Sequence, residues 1–234
     1  MPHAPLLLTR PAPESRRFAA EVRARLGAGR VVISPVMVIV PSRGLPDCTG
    51  IAGVILTSAK ALVPGLQLPA RLPAYCVGAR TAAAAAAAGL DARSAEGALP
   101  ELQALLLAER PAGRLLHLRG AHVSAPLAGP LRAAGLAVEE AVTYDQVPVP
   151  PVPEAAALLA APGPVLLPVF SARTARLLAP FLEGAAAQLV VAAISPAVAD
   201  ALPVQSAARL DVATRPDSGA VLDLLAKQDA SLRA

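Results

Sequence analysis

The sequence predicts an α/β protein with parallel sheets, arranged as two similar lobes. Three observations lead there. The apolar runs are short and rich in Val, Ile and Leu. They alternate with Ala/Leu/Arg stretches of helical length, the pattern of βα units around parallel sheets. The order of these units then repeats along the chain, as duplicated halves would.

The first unit reads as a strand at Leu6-Leu7-Leu8-Thr9, a turn at Arg10-Pro11, and a helix to about Leu26. Phe18, Val22 and Leu26 share one face of that helix, and Gly27 and Gly29 stop it. Residues 31–33 form the next strand and 36–40 a connector. In the second unit 54–56 is a strand, and Thr57-Ser58 is the turn into a helix. Pro64, Pro69 and Pro73 break the chain. Residues 75–77 are a strand, Gly78 is the turn, and 80–88 is a helix capped by Gly89. A further helix covers 99–107.

The third unit opens with a strand at 115–118, followed by Arg119-Gly120 and a helix from about Ser124 to Ala134, with Gly135 as its cap. Residues 138–144 are a strand or connector, and 147–153 a proline-rich link. The fourth unit has a strand at 165–167. Phe170-Ser171-Ala172 then opens a helix that runs through Leu178. A strand at 189–192, a turn at Ser195-Pro196 and a helix at 197–202 follow. The last strand lies near 210–213 and the last helix at 219–227.

The third unit matches the first, with Arg119 in the place of Arg10. The fourth matches the second, with Phe170-Ser171 in the place of Thr57-Ser58 and Ser195 in the place of Gly78. The first unit could join the second in one lobe, or join the fourth with the middle of the chain inserted. Two connectors favour insertion, because a chain that leaves a lobe and returns must cross twice. Lobe one is then 1–35 plus 148–234, lobe two is 42–141, and the connectors are 36–41 and 142–147.

Composition narrows the function. Aromatics are 2% of residues, so core volume must come from Leu, Val, Ile and Ala. No apolar run reaches the ~18 residues that a bilayer span needs. The start, Met1-Pro2-His3-Ala4-Pro5, lacks a basic n-region. The expected compartment is the cytoplasm, where Cys48 and Cys76 would be reduced thiols. Two cysteines cannot make a structural zinc site alone. The net charge of +4 lies in scattered Arg, without a basic block or interleaved aromatics. That argues against nucleic acid and suits a polyanionic small molecule.

Catalytic signatures are sparse. The loop 77–81 has one glycine, and no GxxxxGK[ST] element exists, which disfavours a nucleotide. His117 and His122 have no acidic neighbour in sequence to complete a metal site. Lys60 reads as a solvated side chain. Glu139 and Glu140 point to opposite faces of a strand and make a poor acid–base pair. Nothing resembles a Ser-His-Asp or Cys-His set, so no metal and no cofactor are expected.

In open α/β sheets, ligands lie beyond the carboxyl ends of the strands. Here those ends carry Arg10, Thr57, Ser58, Gly78, Arg119, Gly120, Ser171 and Ser195. These residues are small, hydroxyl-bearing or cationic, and helices that start there add free N–H groups and partial positive charge. The set suits carboxylate or phosphate. Ser58 and Ser171 also read as plain N-caps. Tyr144, in the second connector, could donate a proton or simply pack its ring.

Several segments, in order, resemble the uroporphyrinogen-III synthase family. They are Leu7-Leu8-Thr9-Arg10-Pro11, the run from Gly53 to Ala61, and the run from Cys76 to Ala82. Leu118-Arg119-Gly120, Val142-Thr143-Tyr144, Phe170-Ser171 and Ala193-Ile194-Ser195-Pro196 continue the series. The resemblance implies two flavodoxin-like lobes joined by a two-stranded connector, with a tetrapyrrole held in the cleft, largely by backbone amides. It gives functional weight to Thr81 and Tyr144. Where the family commonly has Gly-Pro-Thr-Thr, this chain has Ser195-Pro196-Ala197-Val198, without hydroxyls at 197 and 198.

The activity so implied is closure of hydroxymethylbilane to uroporphyrinogen III, with the last ring inverted and water lost. Tyr144 is the expected catalytic residue. Arg10, Thr57, Ser58, Gly78, Thr81, Arg119, Gly120, Ser171, Ala172 and Ser195 are the expected substrate contacts. A monomer is expected, with its substrate handed over by the upstream deaminase and no nucleic-acid or membrane partner. The rival reading is a non-catalytic two-lobed binding protein for an anionic small molecule.

Overall fold

The computed structural model describes residues 3–27, 29–123, 125–203 and 207–233. Ser124, where a helix is expected to start, lies outside them, as do Met1 and Pro2. Contacts divide the chain into two compact units: unit one is Met1–Val38 with Pro148–Ala234, and unit two is Ile39–Val147.

Along the chain the strands are β1 (Leu6–Leu8), β2 (Val31–Ile33), β3 (Met37–Pro41), β4 (Gly53–Leu56), β5 (Pro73–Cys76) and β6 (Asp91–Ser94). They continue with β7 (Leu115–Gly120), β8 (Val138–Pro148), β9 (Gly163–Val169), β10 (Ala187–Ala193) and β11 (Ala207–Val212). The helices are α1 (Ala12–Leu26), α2 (Ala79–Ala87), α3 (Leu99–Glu109), α4 (Ala128–Ala133), α5 (Pro153–Ala160), α6 (Ala172–Leu182), α7 (Pro196–Ala199) and α8 (Ser218–Arg233).

Unit one carries a parallel sheet in the order β11-β10-β9-β1-β2. The second sheet has the order β3-β8-β7-β4-β5-β6, parallel from β8 to β6. The first sequence unit therefore sits beside the fourth, and the third beside the second. With that pairing the two sheets share one spatial order, β2-β1-β9-β10-β11 and β8-β7-β4-β5-β6. Numbered by chain order, unit one reads 2-1-3-4-5, the doubly wound flavodoxin-like order, whereas unit two reads 5-4-1-2-3, because there the three-strand segment precedes the two-strand one.

β3 and β8 are neighbours at the edge of the second sheet. Val149 N–H donates to Val36 O and Ser42 N–H donates to Thr143 O. Numbers rise along one segment as they fall along the other, so this ribbon is antiparallel.

Alternation along each strand sends side chains to two buried faces. In unit one, Leu7, Leu167, Leu189 and Val191 pack with α5, α6 and α7 residues such as Leu158, Leu178 and Val198. Leu6, Leu8, Leu166 and Val190 pack on the other side with Phe18, Val22, Val221 and Leu225 of α1 and α8. In unit two, Val54, Leu56, Cys76, Leu116 and Leu118 meet Ala61 and Ala85. Ile55, Tyr75 and Leu115 meet Leu102, Leu106 and Leu131 of α3 and α4.

Several local expectations need correction. The helix expected after Thr57-Ser58 is a single 3₁₀ turn, Ala59–Ala61, because Pro64 disfavours helical backbone at the residue before it. The helix expected over 197–202 is the one-turn α7, with Pro203 close behind. The helix expected to reach back to about Ser124 begins at Ala128. β6, an edge strand of sequence Asp-Ala-Arg-Ser, has no apolar run to mark it. α5 was hidden by prolines, although Pro153 occupies its first turn, where the missing N–H costs nothing.

Asp229 ties the end of the chain to its start. It is 1% exposed. Its carboxylate accepts from Ala4 N–H at 3.2 Å and contacts His3 Nδ1 at 2.7 Å and Arg233 Nε at 3.1 Å. Asp229→Ala strands a buried N–H at the entry to β1. It is expected to lower stability by roughly 1–3 kcal/mol, measured by urea unfolding.

Candidate active site

Each sheet has one crossover point, where successive connections leave in opposite directions. In unit one it lies between β1 and β9, and in unit two between β4 and β7. The residues just past the carboxyl ends of those strands form two constellations.

In unit one, β1 delivers Thr9 and Arg10, and β9 delivers Phe170, Ser171 and Ala172. Arg10 lies with Cζ 4.2 Å from the centre of the Phe170 ring. Phe170 in turn meets Phe18 edge to face, with centres 5.0 Å apart. A guanidinium on an aromatic face is held in orientation by the ring. Ser171 caps α6: its Oγ accepts from Thr174 N–H at 3.0 Å and shares a hydrogen bond with Thr174 Oγ1 at 2.8 Å. Ala172 is the first residue of that helix. On the next strand Ser195 precedes α7, and its side chain makes no capping bond. The missing hydroxyl at 198 has a packing reason, since Val198 is buried in the core. Thr9 is buried too, and its Oγ1 has no hydrogen-bond partner among the described residues.

In unit two, Thr57 and Ser58 follow β4. Ser58 Oγ accepts from Lys60 N–H at 3.3 Å, capping the 3₁₀ turn. Gly78 caps α2 without a side chain, and an added Cβ would meet nothing nearer than Gly97 O at 3.7 Å. The first N–H groups of α2 have no acceptor within the helix. Thr81 is buried in the first turn.

Tyr144 stands on β8 in register with Gly120 of β7. A Cβ on Gly120 would lie 2.7 Å from Tyr144 Cζ and 3.0 Å from its hydroxyl. The ring thus occupies the space that any side chain at 120 would fill. Tyr144 is 5% exposed, and the Ser58 side chain lies near its hydroxyl. Burial raises its pKa above the usual tyrosine value, and the Ser58 contact works weakly against that. The phenol is therefore protonated at neutral pH, in a form able to donate. Ser58, Gly120 and Tyr144 meet at the crossover of unit two, with Gly78 and Thr81 beyond the neighbouring strand β5.

Arg119 is already engaged. Its Nε donates to Glu140 Oε1 at 2.8 Å and its Nη1 to Gly120 O at 2.9 Å. Glu140 also holds Arg132 at 3.5 Å, whereas Glu139 pairs with Arg114 at 3.1 Å. Strand alternation divides the two glutamates between different arginines. Sequence reasoning gave no site role to Glu140 or to the Phe170 ring. The signal for Glu140 was its offset along a strand that pairs with the one carrying Arg119. Among the described residues no group of three or more His, Cys, Asp or Glu could hold a metal ion, and no helix is long and apolar enough to cross a membrane.

His117 lies beneath this network, 2% exposed. Neither ring nitrogen has a hydrogen-bond partner among the described residues, and Glu140 Oε1 is 3.8 Å from Nδ1. Burial lowers its pKa to about 4; Glu140 opposes that and Arg119 adds to it. The unfolded chain, with a value of 6.5, binds more protons between about 4 and 6.5. Stability contributed by neutral His117 is therefore complete above that window and lost as pH falls through it. In His117→Leu this acid-sensitive part, about 3 kcal/mol, is expected to vanish. Urea midpoints near neutral pH and near pH 4, compared with the parent, check it.

The family model for uroporphyrinogen-III synthase HemD matches residues 17–223. The structure is similar to uroporphyrinogen-III synthetase from Helicobacter pylori, with a TM-score of 0.67, 16% identity, and coverage of 97% of this chain and 99% of that one. It is also similar to a mutant uroporphyrinogen III synthase from Thermus thermophilus, with a TM-score of 0.52, 18% identity, and coverage of 97% and 99%. At these identities the likeness is one of fold. No curated protein matches the chain significantly. Because the family model extends from α1 to α8, across both units, the chain belongs to the uroporphyrinogen-III synthase family, the cyclising lyases of tetrapyrrole biosynthesis.

Proposed function

We propose that this chain closes hydroxymethylbilane to uroporphyrinogen III with Tyr144 as the proton donor to the departing hydroxyl. What supports Tyr144 is its buried, protonated phenol at the unit-two crossover, seated on Gly120 with Ser58 nearby. The pyrrole nitrogen drives out the terminal hydroxyl once that oxygen receives a proton, directly or through a water. Water leaves, the pyrrole N–H proton returns to the phenolate, and a neutral azafulvene remains. The substituted carbon of the last ring attacks it to give a spiro intermediate, which breaks and recloses with that ring inverted.

Unassisted, the substrate closes without inversion. The protein's main contribution is thus to hold a flexible polycarboxylate in the bent shape that favours the spiro carbon. Arg10, pre-oriented on Phe170, takes one carboxylate. The helix starts at Gly78 with Thr81, at Ser171-Ala172 and at Ser195 offer N–H groups to others. Thr57 and the edge of Arg119 left free by Glu140 and Gly120 complete the set. In this reading the protein works as a cytoplasmic monomer that receives its substrate from the upstream deaminase.

The test incubates the protein with hydroxymethylbilane, oxidises the product and separates the porphyrin isomers. Type III in excess over type I is expected; type I alone would make the chain a binding protein. Tyr144→Phe is expected to lower kcat roughly hundredfold, and unchanged turnover would remove the phenol from the reaction. Arg10→Ala is expected to raise KM about tenfold with kcat little changed, as loss of uniform binding does. Steady-state kinetics at several substrate concentrations separate the two.

A further inference from the structure

The strand that carries Tyr144 is irregular at the point that matters. β8 pairs with β7 as Leu118↔Ala141 and Arg119↔Val142, and then as Gly120↔Tyr144. The register shifts by one residue, and Thr143 is left without a partner on β7. Such a bulge re-aims the side chains beyond it and is uncommon in parallel pairs.

The consequence follows from alternation. Leu116, Leu118 and Ala141 face the cluster that contains Ala61. Strict period two puts Thr143 on that face and sends Tyr144 to the opposite one. The extra residue turns Tyr144 back, so that both side chains face the turn at 58–61. Thr143 is 0% exposed, and its Oγ1 donates to Ala61 O at 2.9 Å. Ala61 ends the turn that Ser58 caps. The bulge is also fixed through its backbone, since Ser42 N–H donates to Thr143 O and Ala121 N–H donates to Tyr144 O, each at 2.9 Å.

We propose that Thr143 is a positioning residue of the cyclisation: its bulge, pinned to Ala61, seats the Tyr144 phenol on the bare backbone of Gly120. The inference rests on Tyr144 acting as proton donor. Thr143 itself touches no reacting atom. It fixes where the phenol is, and proton delivery tolerates little displacement: about 1 Å of misplacement can cost a hundredfold in rate.

The experiment compares Thr143→Val, which keeps the branched shape but loses the hydroxyl, with Thr143→Ser, which keeps the hydroxyl. Kinetics are read together with NMR of protein carrying ring-carbon-labelled tyrosine. The chain has two tyrosines, so Tyr75→Phe leaves the phenol resonance of Tyr144 alone. Thr143→Val is expected to lower kcat roughly tenfold with KM within about twofold, and to shift the Tyr144 resonance. Ser58→Ala is expected to shift it too, and Thr143→Ser to restore both kcat and resonance. A loss of stability alone would move neither kcat of the folded fraction nor the resonance.

If Thr143→Val does not fold, Gly120→Ala carries the test. Its added carbon falls within 3.0 Å of the phenol, and the same kcat loss and shift are expected. An unmoved resonance, or a moved resonance with unchanged kcat, overturns the proposal. Failure of the donor reading looks different: Tyr144→Phe would still make type III isomer. If Tyr144→Phe is inactive while Thr143→Val matches the parent in both readouts, the positioning role alone falls.

Discussion

Both sheets are buried on both faces, and this constraint governs where polar chemistry can stand. Most interior positions of the central strands β1, β4, β7, β9 and β10 are Leu, Val, Ile or Ala packing against helices. Polar and charged groups are driven to the strand ends, where backbone N–H groups of the following helices are open to solvent or ligand. A reaction run there has few side chains to use. The strand ends offer hydroxyls and helix starts in both units, a stacked guanidinium in unit one and a buried phenol in unit two, which suits a reaction whose difficulty is shape more than bond polarisation.

The same constraint explains the behaviour of the charged residues that do lie near the interior. Arg119 is balanced by Glu140, which also reaches Arg132, so the positive edge of unit two is tempered before any substrate arrives. Arg10 lies over the Phe170 face, which orients its guanidinium. Two arginines at matching places in a duplicated sequence thus rest against different kinds of side chain. What differs is the neighbour across the sheet, an aromatic ring in one case and a carboxylate in the other.

Much of the fold was legible because strands buried on both faces read as unbroken apolar runs and their helices as Ala/Leu stretches between glycines. β4, β7 and β10 show this. What hid was structure without that signature: the polar edge strand β6, and α5, whose opening prolines look like a link. The partnering of the four sequence units was not fixed by composition, since each lobe could have drawn on either copy. At the site, the strand-end residues could be named because topology alone places them there. The convergence of Thr143, Tyr144, Gly120 and Ser58 could not, since it depends on one inserted residue breaking a two-residue period. Ser58 and Ser171 are N-caps in the structure, as their types allow, and Ser58 in addition lies near the phenol.

The interleaving of the sheets also sets an order on the growing polypeptide. Unit two is one uninterrupted stretch, so all its strands are available as soon as β8 has left the ribosome. Unit one cannot close then: β1 and β2 exist, but β9, the neighbour of β1, has yet to be made. β1 is made before the inserted unit but completed after it, its edge toward β9 unpaired while the whole inserted unit is translated. Long-range parallel pairing of this kind is slow and exposes an apolar edge. The halves that make the two sheets alike thereby make their routes to the folded state unlike.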